Sequence, residues 1–270
     1  MAGRLPLTQA GTLNDDAWAV PPHSRTVLNP ITARYAAVLT VQNEGPRLER
    51  QLTRMQSLSG ICDIVIADGR TTDGSTRDEL LASRRVHAVL RLTGPGGFSS
   101  SLRTGLAYAM RSGFAGVVLL NGNDKDDPAA IPAFVRELDA GAGYVQGSRY
   151  LPGGEAINTP RARDLLIKLV HRPLFNLISG GRFTDTTNGF RAFSRAVLLD
   201  PRVQPWRDAF AHYELEYYLA WAACRFGFRT TEIPVTRAYP LAGKVPTKIT
   251  LIRGHWEMLK PLVMLAFRRY

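Results

Sequence analysis

Short continuous apolar runs alternate along this chain with stretches in which apolar residues recur every three or four positions. Tyr35-Ala36-Ala37-Val38-Leu39-Thr40-Val41 is the clearest run, and it ends abruptly at Gln42-Asn43-Glu44-Gly45. Such a run, bounded by turn residues, predicts a strand buried on both faces. Similar runs predict strands over 61–67, 86–92, 115–120 and 143–146. Helical spacing predicts helices over 46–58, 76–84 and 99–112, and one after Pro128. Pro46 and Pro128 suit first helical turns, and Asp127 can cap the helix it precedes. Strand–helix alternation with short connections predicts an α/β fold with a mostly parallel sheet covered by helices.

The alternation stops after Gly147-Ser148-Arg149. A Gly/Pro-bearing loop over 152–160 is followed by an apolar helix over 162–178, carried by Leu165, Leu166, Leu169, Val170, Leu174 and Leu177. Residues 184–193 read as a hairpin or two short strands, 210–226 as a second long helix and 229–235 as a strand. Residues 1–33 carry Pro6, Pro21, Pro22 and Pro30 with little periodicity, which predicts an extended or partly disordered arm. The expected organisation is this arm, one domain over 34–248 and a basic amphipathic helix over 249–270.

Polar residues collect at the predicted strand tips: Asn43, Glu44, Asp68, Asp73, Asn121, Asn123 and Asp124. Open α/β sheets bind ligands beyond the carboxyl ends of their strands. Oxygen-rich tips such as Asn121-Gly122-Asn123-Asp124-Lys125-Asp126-Asp127-Pro128 suit Mg²⁺ or Mn²⁺ holding a phosphorylated substrate. The same segment also reads as a polar turn with a helix cap.

Composition narrows the partners. The 270 residues are 45% apolar and 21% charged, as in a globular protein that buries a real core. A formal charge of +11 and a sequence pI of about 10.1 favour anionic partners. Cys62 and Cys224 form no metal or redox spacing and read as small core residues in a reducing compartment. No apolar run is long enough to span a bilayer, so membrane contact is expected to be peripheral. The end of the chain is one place for it: from Arg237 onward seven Lys/Arg face one Glu, and Ile252, Trp256, Leu259 and Val263 fall at helical spacing. Packing of that helix on the sheet is the alternative, and Pro261 should kink or split it.

The order of motifs resembles the family 2 glycosyltransferases of GT-A fold, in particular the dolichyl/polyprenyl-phosphate mannose synthase branch. The series is Leu39-Thr40-Val41-Gln42-Asn43-Glu44, Asp68 to Ser75, Arg103-Thr104-Gly105-Leu106, Asn121 to Pro128, Gly147-Ser148-Arg149, Asn188-Gly189-Phe190-Arg191 and Glu232-Ile233-Pro234-Val235. The resemblance covers roughly 35–250 and implies roles. Asp68 would accept from a nucleobase or ribose, or else stabilise its turn. Asn43 and Glu44 would lie beside the nucleotide, with Glu44 also able to cap a helix. Arg103 would face the donor or solvate its helix. The paired metal-binding Asp of the family are Asn121 and Asn123 here, which bring no charge, and Asp124 can supply a carboxylate. Three readings stand: a metal on Asn123 and Asp124, a metal held mostly by the donor diphosphate, or metal-independent transfer. The last needs cations, and Arg237, Lys244 and Lys248 resemble the family's loop over the diphosphate. Asp126 is the first candidate for a base or a residue behind the metal. Glu214 and Glu216 are rivals on one helix, two apart, so at most one faces the site. His212 reads as structural. Arg149 and Arg191 would bind acceptor phosphate, though Arg191 can also pair with Asp185.

The expected function is a cytoplasmic glycosyltransferase reaching the inner face of the plasma membrane. It would move a sugar from a nucleotide diphosphate sugar to a polyprenyl phosphate or a lipid-linked or surface-glycan acceptor, with inversion. An inactive nucleotide-sugar-binding scaffold is the alternative, motivated by Asn121 and Asn123. A sugar-nucleotide pyrophosphorylase would need a Gly-rich basic loop after the first strand, which Gln42-Asn43-Glu44-Gly45 is not. A nucleic-acid binder rests on charge alone, without aromatic residues interleaved among the basic ones.

Overall fold

Apolar runs become strands and the segments between them become helices, packed in three layers. The computed structural model describes residues 17–210, 212–240 and 253–266, with side chains of the last stretch from Leu259 onward. The described strands are β1 His23–Val27, β2 Tyr35–Val41, β3 Cys62–Asp68, β4 Val86–Leu92, β5 Gly116–Asn121, β6 Tyr144–Ser148, β7 Glu155–Ile157, β8 Arg191–Ser194, β9 Thr230–Pro234 and β10 Thr236–Ala238. The main sheet has the order β1-β4-β3-β2-β5-β8-β6-β9, and β7 pairs with β10 in a separate ribbon. Strands β4, β3, β2 and β5 run parallel, whereas β1 and β8 are antiparallel to their neighbours.

The period of two along β2 feeds two cores. Ala36 and Val38 join one cluster, Ala37 and Leu39 the other. On the first face lie α3 Phe98–Arg111 and α8 Glu214–Arg225; on the second lie α1 Pro46–Met55, α2 Asp78–Ser83 and α4 Ile131–Asp139. Helix α1 presents Leu48, Leu52 and Met55 at helical spacing, which is why it docks. Helix α3 lies especially close to the sheet. A Cβ on Gly105 would come 2.6 Å from Val38 Cγ1, so no larger residue fits there without displacing the strand.

The remaining helices are α5 Arg161–Leu166, α6 Arg172–Ser179, α7 Arg195–Leu198 and α9 Arg253–Ala266, with a π-helical turn over Ile167–His171 joining α5 to α6. The helix expected over 162–178 is therefore present but widened in the middle. Its Leu165, Leu169, Val170 and Leu177 are exposed, Leu177 to 80%. Helix α9 packs inward through Leu262 and Leu265 and contacts α6 and α8. Of the apolar face expected there, Leu259 is half-buried and Val263 exposed, while Ile252 lies outside the described residues. Pro261 sits inside α9 without splitting it.

Three features differ from expectation. Within the arm expected over 1–33, β1 pairs with β4 as an edge strand; its partial, non-alternating burial leaves no pattern to announce it. Residues 184–193 form a loop and the single strand β8, because Asp185 and Glu232 collect the backbone N–H groups that a hairpin would have paired. The ribbon β7–β10 was not anticipated, being only three residues long on each side.

Candidate active site

The carboxyl ends of β2 and β5 are level, with Thr40 opposite Asn121. Beyond them opens a cleft of about 320 Å³. Thr40, Asn121 and Gly69 line it at the strand ends; Asn123, Lys125, Arg237 and Tyr239 form the wall built by the turn after β5 and by β10; Glu216 and Tyr217 of α8 also line it. Arg163, at the start of α5, closes the rim.

The turn after β5 is zipped by backbone hydrogen bonds to β10. Asp127 N donates to Thr236 O at 3.1 Å and Ala238 N to Lys125 O at 2.8 Å, with a bridge between Asp126 and Arg237. This zipper lays two cations side by side on the wall. Arg237 donates to Asp126 Oδ2, deep beneath the surface. The other Asp126 oxygen is buried without a partner. Asp126 presents nothing to the cleft; it is a positioning residue for Arg237, in place of the expected base. The Lys125 ammonium lies 5.0 Å from the Tyr239 ring centroid, and the Arg237 and Arg163 guanidinium carbons lie 5.8 and 6.0 Å from it. Burial, then repulsion from Arg237 and Arg163, lowers Lys125 to about 8.

The residues expected at the site divide. Glu44, Asn121, Asn123 and Arg237 line the cleft. Glu44 is held by Arg47 at 2.9 Å and leaves helix entry to Gly45, whose N–H donates to Asp73. Asn43 stands outside the cleft with φ 55°, and its amide oxygen accepts from Thr72 N. Asp68 is buried beneath the same loop; its oxygens accept from Thr71 N at 2.7 Å and Thr76 Oγ1 at 2.8 Å, the turn-stabilising role. Lys244 and Lys248 lie outside the described residues.

Five assignments are corrected by geometry. Asp124 adopts φ 60°, and its carboxylate turns to α1, where Arg54 and Arg50 hold it at 2.6 and 3.1 Å. Arg149 is buried in a two-pronged pair with Asp185 at 2.7 and 3.0 Å, so it offers nothing to an acceptor. Arg191 is equally buried and donates to the carbonyls of Asn188, Glu216 and Thr186. Glu214 accepts from His212 N at 2.6 Å and faces away from the cleft, whereas Glu216 lines it. Arg103 serves neither expected role: it is buried and donates to Asp208 at 2.8 Å.

The strand tip itself offers a divalent cation no charged oxygen. Asn121 Oδ1 accepts the Thr40 hydroxyl at 2.9 Å, and Asn123 Oδ1 accepts the Lys125 backbone N–H at 3.3 Å. Both amides are neutral, and the one carboxylate between them and Asp126 is taken by arginines. Among the described residues, no three His, Cys, Asp or Glu side chains converge as a metal site. Carboxylates supply the charge that makes oxygen ligands strong for such cations, and here Lys125 lines the cleft beside the two amides.

Missed at first were Lys125, Arg163 and Tyr239. Lys125 carried a signal, being a lone cation inside an acidic turn. Arg163 carried none, since only the fold brings α5 to the cleft.

Of the two carboxylates that line the cleft, Glu44 and Glu216, Glu216 is the more deeply buried. Its burial raises it above the ordinary carboxyl range, although Arg191 and Arg237 pull the other way. A raised folded value means that stability is intact below the unfolded value of about 4.3 and is lost as pH rises through the folded one. Glu216→Gln mimics the neutral form. It is expected to melt with the parent protein near pH 4 and several degrees above it at pH 8, measured by calorimetry. Equal melting at both pH values would refute the buried-charge account.

Comparison with known proteins agrees with this architecture. The family description Glycosyl transferase family 2 matches residues 36–200. The polyprenol monophosphomannose synthase of Mycolicibacterium smegmatis is 28% identical over 209 residues, covering 76% of this chain and 77% of that protein. The undecaprenyl-phosphate mannosyltransferase of Micrococcus luteus is 24% identical, covering 75% and 83%. Glucosyl-3-phosphoglycerate synthase from Mycobacterium tuberculosis, solved with Mn²⁺, UDP and glucosyl-3-phosphoglycerate, superposes with a TM-score of 0.61 at 16% identity, covering 87% of this chain and 79% of that one. That likeness shows the GT-A fold, and further structures of the same enzyme are complexes with Mn²⁺ or Mg²⁺. With the family match spanning the parallel half of the sheet and the turn that bears Lys125, the chain belongs to glycosyl transferase family 2.

Proposed function

We propose that the protein transfers a sugar from a nucleotide diphosphate sugar to a polyprenyl phosphate at the cytoplasmic face of a membrane. The observation that carries this reading is the cleft at the strand ends, where three cations face a buried carboxylate. The names of the two mannosyltransferase relatives make mannose the first sugar to try. The donor diphosphate lies against Lys125, Arg163 and Arg237. A phosphate oxygen of the acceptor attacks the anomeric carbon from the opposite side, and the bond to the β-phosphate breaks with its electron pair on the leaving nucleoside diphosphate. Stabilising that charge is the main catalytic contribution of the wall.

The test is a transfer assay of purified protein with UDP-, GDP-, CDP- and dTDP-sugars and polyprenyl phosphate in detergent. Formation of a lipid-linked sugar from one donor supports the reading, and no product from any donor refutes it. A hydroxyl acceptor is the second reading, favoured by Glu216, since a hydroxyl needs a base and a phosphate does not. With a phosphate acceptor, Glu216→Gln keeps kcat within about tenfold; with a hydroxyl acceptor it loses about 10²–10⁴-fold.

The acceptor's lipid implies a membrane, and no helix among the described residues is long and apolar enough to cross one. The exposed stripe Leu165, Leu169, Val170 and Leu177 lies on α5–α6 with Arg161, Lys168 and Arg172 on the same segment. An apolar stripe flanked by cations suits an anionic bilayer surface. Leu169→Asp combined with Leu177→Asp is expected to abolish co-sedimentation with phosphatidylglycerol vesicles while leaving the melting temperature unchanged.

A further inference from the structure

We propose that the cluster of Lys125, Arg163 and Arg237 around Tyr239 takes the place of a divalent cation, so that this chain binds its donor diphosphate without metal. The inference rests on the nucleotide-sugar reading above and deepens it.

Three observations carry it. The first is convergence: all three cationic groups lie within 6.0 Å of one ring centroid, and all three residues line the cleft. Like charges repel at such separations and are stable together only when anions balance them. Asp126 balances Arg237 from behind, and all three cationic residues still line the cleft.

The second is the direction of the charge change. The strand tip offers two neutral amides, both already hydrogen-bonded, and turns its Asp124 carboxylate away to Arg50 and Arg54. A site built to hold Mg²⁺ or Mn²⁺ concentrates negative charge. This one removes it and adds an ammonium. Bringing a hard cation to this wall would place it against Lys125 and Arg237.

The third is rigidity. Lys125 and Arg237 are fixed to each other through the backbone pairing of the turn with β10. A preformed pair of cations binds a diphosphate with little ordering cost, which is the service a bound metal ordinarily gives.

The experiment is calorimetric titration of the full chain with UDP, GDP, CDP and dTDP, each in EDTA, in Mg²⁺ and in Mn²⁺. The expected result is selective binding of one nucleotide that is unchanged by EDTA. Lys125→Gln and Arg163→Gln are each expected to weaken that binding in EDTA by about 10- to 100-fold, the loss of one charge-assisted contact. Lys125→Arg restores most of it. Because Lys125→Arg keeps the charge, its recovery of affinity separates a diphosphate-binding role from a merely structural one. Binding that disappears in EDTA and returns with Mn²⁺ overturns the inference and leaves the donor reading standing. So does unchanged affinity in both glutamine variants. No binding to any nucleotide under any condition overturns the donor reading, and this inference with it.

Discussion

Arg149→Ala is expected to lower the melting temperature by roughly 10 °C or more, because breaking a buried ion pair costs about 3–5 kcal/mol. The Arg149 and Asp185 side chains are 1% and 0% exposed, so the charge left behind has no water to turn to. Asp185 also accepts from the N–H groups of Arg149, Thr187 and Asn188, which shape the loop before β8. Burial alone would raise its carboxyl; the Arg149 guanidinium and these hydrogen bonds hold it below the usual range. That contribution is present above the unfolded carboxyl value and is lost as pH falls. Arg149→Ala should therefore flatten the acid limb of the stability curve. Combining it with Asp185→Asn should cost less than the sum of the two single changes. A single variant that melts with the parent protein but fails to use the acceptor would restore the acceptor-binding role.

Arg237→Gln is expected to produce two separable losses. It removes a cation from the cleft, which should lower kcat/KM by about 10²–10³-fold, as for loss of one preorganised donor. It also leaves Asp126 charged, buried and unpaired, which should lower the melting temperature as in the first case. Adding Asp126→Asn removes that stranded charge. The double variant should regain most of the stability and none of the activity. Recovery of both would mean that Arg237 serves only to neutralise Asp126.

These two arginines show where the sequence was legible and where it was not. The strands of the parallel half were readable because burial on both faces leaves an uninterrupted apolar run, as in β2 and β3. The cleft was readable because those strands end in polar residues at one level. Edge strands such as β1 are half-solvated and leave little pattern. Charged residues were harder. Arg149, Arg191 and Arg237 look alike in sequence, yet two are sealed in the interior and one borders the cleft. The partners that decide this are far away along the chain: Asp185 for Arg149, Asp126 for Arg237. The pair Glu214 and Glu216 was limited correctly to one cleft-facing member, but helix phase alone could not say which. Apolar spacing over α5 and α6 was read as a helix and is helical, but periodicity says nothing about what covers its face, and Leu177 is 80% exposed among the described residues.

The buried pair of Asp126 and Arg237 also constrains descent. Each residue is costly without the other, so neither can be lost first without a penalty, and single-step divergence at either position is disfavoured. The two should be inherited as a unit: chains that keep the carboxylate should keep the arginine, and chains that lose one should have exchanged both.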